Sequence, residues 1–251
     1  MKLTPHIATV LAIFLILTSQ GYAQSFNIVQ ERKSVPVIIS QKDADVVNVA
    51  GEALAGDIEL ITDIQPDLLS KLESGSSSAI IIGTIGKSPM IDRLVEEKII
   101  PKDKLSGKWE TFLIQRVEKP FPGMGEALVI AGSDPRGTAF GVFELSKRLG
   151  VSPWVYWADV KPAKRSDLSI SLDAVLMGPP SIKYRGIFLN DEDWGLKPWA
   201  AKNIDTEIKD IGPKTYARIF ELMLRLKANF IWPAMHPCTK AFFYYKGNPE
   251  V

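Results

Sequence analysis

Tyr184-Arg-Gly-Ile-Phe-Leu-Asn-Asp-Glu-Asp-Trp194 opens as a strand and ends abruptly in three carboxylates and an indole. Downstream, Tyr216, Ile219, Phe220, Met223 and Leu226 recur at helical spacing, with Arg218, Glu221, Arg225 and Lys227 on other faces. Asn229 to Trp232 then reads as a second short strand, ended by Pro233 and followed by Met235, His236 and Pro237. Strand, acidic loop, helix, strand and polar loop in that order predict parallel βαβ construction. In a (β/α)₈ barrel the loops at the carboxyl ends of the strands form the active face, so the two loops would share one mouth. Strand parity puts Arg185, Ile187, Leu189 and Asp191 on one face, and the charge of Arg185 assigns that face to the barrel interior. Arg185 itself reads as an ion-pair residue of the barrel floor. The acidic run also reads, with equal weight on chemistry alone, as a solvated loop capping the next helix.

Upstream of the Gly178-Pro179-Pro180 breaker cluster the pattern changes. Strands are expected at Val35 to Ser40, Ile58 to Thr62 and Ala79 to Gly83, with a helix from Ala44 to Leu54. The run Ala79-Ile-Ile-Ile-Gly83 suits a strand buried on both faces. A helix is expected from Pro89 to Lys98, and two neighbouring strands at Trp109 to Val117 and Ala127 to Ala131. Asp134 stands at a helix N-cap position, Pro135 in the first turn, and Gly150 just past the last apolar residue. The fold class is therefore α/β: an amino-terminal mixed α/β domain over 24–178, followed over 179–251 by the first units of an incomplete (β/α)₈ TIM barrel. A closed barrel takes about 250 residues, so 181–251 supplies only about two of the eight strand–helix units. The chain is thus expected to be a truncated portion of a larger enzyme.

The first residues stand apart from the fold. Lys2 precedes an apolar run from Ile7 to Leu17, and Gly21-Tyr-Ala23 supplies small residues at a cleavage site, the pattern of a secretory signal peptide over 1–23. A membrane span needs about 20 apolar residues, more than this run holds. The mature protein is expected to be secreted or periplasmic, without a membrane span after cleavage, and with His236 as its sole histidine.

Across 251 residues, 30 Lys and Arg face 29 Asp and Glu, and one cysteine, Cys238, is present. That balance leaves no basic run for nucleic acid, and the composition excludes disordered and disulfide-scaffold classes. CxxC and HExxH are missing, so no metal site is expected. Gly83-Thr-Ile-Gly-Lys-Ser88 has Ile81 where a phosphate loop needs glycine, Gly123-Met-Gly125 lacks a third glycine, and both read as turns. A Gly-x-Ser-x-Gly elbow is also absent.

Tyr184-Arg-Gly-Ile-Phe-Leu-Asn-Asp-Glu-Asp-Trp-Gly-Leu196, with Phe220-Glu-Leu-Met-Leu-Arg-Leu-Lys-Ala-Asn-Phe-Ile-Trp-Pro-Ala-Met-His236, resembles the start of the catalytic barrel of glycoside hydrolase family 115. Gly137 to Leu145 and Pro153-Trp-Val-Tyr-Trp-Ala-Asp159 are similar to that family's amino-terminal domain. The resemblance implies an exported α-glucuronidase that removes glucuronic acid, or its 4-O-methyl ether, from glucuronoxylan or its oligosaccharides with inversion. It calls for no cofactor and allows a homodimer of the intact enzyme through regions outside this segment. Inversion needs an acid and a base roughly 6.5–9.5 Å apart, so adjacent residues cannot be the complete pair. Asp191 and Glu192 are the catalytic candidates, of which one supplies a catalytic or sugar-orienting carboxylate. Asn190, Asp193, Trp232 and His236 are the substrate-binding candidates, Trp232 by stacking on a sugar ring. The competing reading is a non-catalytic carbohydrate-binding or structural module that uses Trp154, Tyr156 and Trp157 as a platform. Alternation favours instead a strand face that packs Trp154 and Tyr156 against the barrel.

Overall fold

The computed structural model describes residues 25–73, 77–190 and 193–251. The predicted signal segment lies outside them. In chain order the elements are β1 (Ser25–Gln30), β2 (Lys33–Ser34), β3 (Val37–Ile39), α1 (Asp45–Thr62), β4 (Leu68–Leu69), β5 (Ser78–Thr84), α2 (Pro89–Glu96) and α3 (Lys102–Leu105). Then come β6 (Phe112–Glu118), β7 (Glu126–Gly132), α4 (Pro135–Leu149), β8 (Leu168–Ser171) and β9 (Val175–Met177). The last part holds β10 (Gly186–Phe188), α5 (Leu196–Asn203), α6 (Pro213–Arg225) and β11 (Phe230–Trp232), with short 3₁₀ turns near the end.

A six-stranded sheet of order β4-β3-β5-β7-β6-β9 forms the first layer. β4, β3, β5 and β7 run parallel, while β6 and β9 are antiparallel to their neighbours. Side chains alternate across it as strand geometry requires. Val37, Ile39, Ile80, Ile82, Leu128 and Ile130 pack in the core that holds α1 and α4. Ile38, Ala79, Ile81, Ala127, Val129 and Ala131 pack on the other side with Ile91 and Leu94 of α2. Continuous apolar strands thus mark a sheet covered on both faces. A small antiparallel sheet of order β2-β1-β8 closes one end of the first core.

The strand expected at Ile58 to Thr62 is instead the last turns of α1. Val47, Ala50, Leu54, Ile58 and Ile61 are all buried on one stripe, so the 3.6-residue period continues through the segment. Asp63, at φ 60°, ends the helix. The α4 signals hold as read: the Asp134 carboxylate accepts from Gly137 N–H at 2.8 Å, Pro135 sits in the first turn, and Gly150 closes the helix at φ 105°. The two glycine-rich stretches are turns. Trp154 and Tyr156 lie in a turn, where Val155 and Ala158 N–H bond to Ser152 and Trp154 carbonyls, and not on a strand. Trp157 nevertheless packs against the second part of the chain, 5.2 Å from Trp199 between ring centroids.

β10 and β11 pair in parallel, Gly186 with Phe230, Ile187 with Ile231 and Phe188 with Trp232. With α6 they form the βαβ unit expected. Gly186 is required there, because a Cβ would come within 1.9 Å of the Phe230 carbonyl oxygen. Tyr216, Ile219 and Met223 of α6 pack over Ile187, Leu189 and Ile231. The face shared by Arg185, Ile187 and Leu189 therefore lies under the helix, which corrects the assignment of that face to the interior. The charge is tolerated because it is met: Arg185 Nη2 lies 2.5 Å from Glu110 Oε2, and its Nε donates to the Lys227 carbonyl. Arg185 is the ion-pair residue expected, at the amino end of its strand.

Asp205, only 4% exposed, caps α6 from seven residues upstream of its N-cap. Its carboxylate accepts from the N–H groups of Gly212, Lys214 and Thr215 and from Thr215 Oγ1. Replacing Asp205 by Ala leaves those donors orphaned, and a urea titration is expected to show a loss of about 2 kcal/mol.

Candidate functional site

The geometry of the site follows from the parallel pair. Both strands end on the same side, where Leu189 N–H donates to the Trp232 carbonyl at 2.8 Å. Asn190 and Asp193 follow β10 and are exposed, and His236 is exposed four residues after Trp232. Asn190, Asp193, Trp232 and His236 are thus all placed at or beyond the carboxyl ends of two paired strands. Asp191 and Glu192 lie outside the described residues.

On the face turned away from α6, Phe188 and Trp232 stand together with ring centroids 5.7 Å apart and are each 53% exposed. The Trp232 indole N–H points to Met235 Sδ at 3.2 Å, and Trp194 is the most exposed aromatic among the described residues, at 82%. An apolar surface of this kind, followed along the chain by an amide, a carboxylate and an imidazole, suits the apolar face and hydroxyl rim of a sugar ring. Parity assigned from Arg185 hides Phe188 from a reading of the sequence alone. Ile187 and Leu189, as apolar residues beneath an amphipathic helix, carried the signal that would have turned Phe188 and Asn190 to the open face.

The loops beyond the strands are tied down. Lys197 of α5 donates to the Cys238 carbonyl. Asp210 accepts from Thr239 Oγ1, Lys240 N–H and the Tyr245 hydroxyl at 2.5, 3.0 and 3.1 Å. Burial opposes ionisation of Asp210, but these bonds and that from Ile211 N–H outweigh it and hold the carboxyl below its ordinary range. Burial and the bond to Asp210 push Tyr245 up to about 12. At Glu144 burial again opposes ionisation, and Lys227 and Arg148 overcome it, lowering its pKa. The two carboxyls therefore supply stability that is present above the ordinary carboxylate range and lost as pH falls through their folded values. Tyr245 supplies stability that is whole below its unfolded value of 10 and is lost as pH rises toward about 12. Urea midpoints measured across pH are expected to fall at both ends, and Tyr245→Phe is expected to remove the alkaline limb.

The strand-end site rests on the first domain through buried carboxylates that sequence reasoning did not find. Glu110, with a fully buried side chain and φ 46°, receives Arg136 Nε at 2.9 Å, Asn229 Nδ2 at 2.8 Å and Arg185. Asn229 Oδ1 in turn accepts from Arg185 N–H at 2.9 Å. Asp57 of α1 holds Arg225 of α6 in a two-pronged pair at 2.8 and 2.9 Å. Arg218 lies 4.7 Å from the Tyr156 ring, so Tyr156 and Trp157 belong to this junction. A concavity of about 900 Å³ between α1 and α6 includes none of Asn190, Asp193, Trp232 and His236. Among the described residues no cluster of His, Cys, Asp and Glu could hold a metal, and no helix is long and apolar enough to cross a membrane.

Residues 177–251 match the family model for glycosyl hydrolase family 115. The chain is similar to a solved family GH115 4-O-methyl-alpha-glucuronidase, BtGH115A, with specificity for decorated arabinogalactans. The identity is 40% and the TM-score 0.75, over 90% of this chain and 28% of that one, so the chain spans little more than a quarter of that relative's length. Fainter likenesses, both at TM-score 0.43, are to a GH20 beta-N-acetylhexosaminidase from Streptomyces coelicolor A3(2), with 12% identity over 76% of this chain and 31% of that one, and to CpGH84D, with 11% identity over 86% and 36%. Among curated proteins nothing matches.

Proposed function

From a chain that resembles the amino-terminal portion of a family 115 glycoside hydrolase, we propose that the intact enzyme is an exported α-glucuronidase. It removes glucuronic acid or 4-O-methylglucuronic acid from polysaccharide side branches. The observation that carries this reading is the pairing of Phe188 with Trp232, which gathers aromatic surface and the polar candidates at one pair of strand ends. On this reading Trp232 and Phe188 receive the sugar ring, and Asn190, Asp193 and His236 address its hydroxyls and carboxylate. Asp191 or Glu192 provides one carboxylate of an inverting pair, and the partner comes from elsewhere in a complete barrel. The present chain alone is therefore inactive.

Two polymers are in play. Glucuronoxylan is the substrate expected from the sequence, and decorated arabinogalactan is favoured by the specificity of the 40% identical relative. Incubation of a barrel-complete version with each polymer, followed by NMR of the freshly released sugar acid, tests polymer and stereochemistry together. An inverting α-glucuronidase releases the β-anomer first, and initial release of the α-anomer would refute inversion.

A further inference from the structure

The winding of the large sheet reverses between β3 and β5. β3 leads through α1 on one face to β4 at its outer side, whereas β5 leads through α2 on the other face toward β6 and β7. Open α/β sheets hold ligands in the crevice outside the carboxyl ends of their strands at such a reversal. A groove of about 550 Å³ extends from the β3 end of that crevice along α2 to the turn between β6 and β7, lined by Ser40 just past β3, Ser70 and Lys71 just past β4, Met90 and Arg93 of α2, and Phe121 of that turn. No acidic residue lines it. Ser40 is only 7% exposed; its Oγ accepts the Lys42 N–H at 3.2 Å, which leaves its O–H proton for an acceptor in the groove. Lys71 has no hydrogen-bond or ion-pair partner among the described residues. Arg93 lies 5.3 Å from the Phe121 ring and bonds Glu97 through Nε alone, at 2.7 Å.

Two cations, hydroxyl donors and an apolar floor of Met90 and Phe121 match a ligand that is at once a carboxylate and a sugar. We propose that this groove is a uronate-binding subsite, separate from the strand-end site, which holds an acidic side branch of the polysaccharide. The choice of a sugar acid rests on the reading of the chain as part of an α-glucuronidase. Charge-assisted bonds supply the affinity, and Phe121 and Met90 discriminate against small inorganic anions.

Calorimetric titration of the full chain with a glucuronic-acid-capped xylo-oligosaccharide tests it, beside the undecorated oligosaccharide and inorganic phosphate. Binding of the acidic sugar is expected to weaken about tenfold or more in Lys71→Ala and in Arg93→Ala, and to persist in Trp232→Ala. Lys71 is exposed, so its variant tests the groove without disturbing the core. No binding of the acidic sugar, equal binding of the undecorated one, phosphate binding as tightly, or unchanged affinity in Lys71→Ala would each overturn the subsite. Binding lost only in Trp232→Ala would place the sugar at the strand ends, refuting the groove while supporting the proposed function. Failure of the function itself is read separately, as no release of sugar acid by a barrel-complete version.

Discussion

Asp191→Asn and Glu192→Gln, each introduced into a barrel-complete version, are expected to separate the two acidic candidates by their effect on turnover. The residue that acts as general acid or base loses about 10²–10⁴-fold in kcat, because its amide substitute neither gives nor takes the proton at the reacting oxygen or water. The other raises KM with a smaller change in kcat, as a group that holds the sugar without moving a proton. The pair is read from release of 4-O-methylglucuronic acid under saturating and limiting substrate. If both variants keep the parent kcat, neither carboxylate belongs to the reaction.

The second large effect lies at the junction of the two parts. Arg225 is buried against the Asp57 carboxylate and is also held by Glu221 at 2.9 Å. Burial alone would lower its pKa, but the two carboxylates more than compensate and raise it. Arg225→Met leaves Asp57 with its charge, buried and without its Arg225 partner. A loss of about 3–5 kcal/mol follows, a large part of what holds most domains folded. Replacing both residues, Asp57→Leu with Arg225→Met, removes the stranded charge and is expected to recover most of that loss. Urea unfolding of the single and double variants checks both outcomes. A single variant as stable as the parent would mean that the pair is solvated and does not fasten the strand ends to the first domain.

How much of this was legible in the sequence depended on the distance over which each feature is written. The cap at Asp134, the proline after it and Gly150 lie within one helix and were read correctly. The buried run at 79–83 and the α6 stripe were equally local. Ile58-Glu-Leu-Ile-Thr62 misled because a short β-branched run looks the same in a strand and in the last turns of a helix; only the stripe begun at Val47 separates the two. β1 pairs with β8 across Phe26 and Ile170, and nothing in either segment announces the other. The same holds for Arg225 with Asp57, 168 positions apart, and for Arg185 with Glu110, 75 apart. Arg185 shows the consequence for the site. Its partner is invisible locally, so its charge alone points to an interior face and hides the aromatic face of Phe188. The acidic loop and Trp232 were found from the order of strand, loop, helix and strand, and the parallel pairing brings Asn190, Asp193, Trp232 and His236 to one end of the unit.

The most direct measurement is the release of 4-O-methylglucuronic acid from glucuronoxylan and from decorated arabinogalactan, by this chain and by a barrel-complete version side by side. Release by the complete version alone, abolished by substitution at Asp191 or Glu192, is the result predicted for half of a catalytic pair carried on the first strands of a barrel. Release by this chain alone, or none from either polymer by the complete version, would contradict the account.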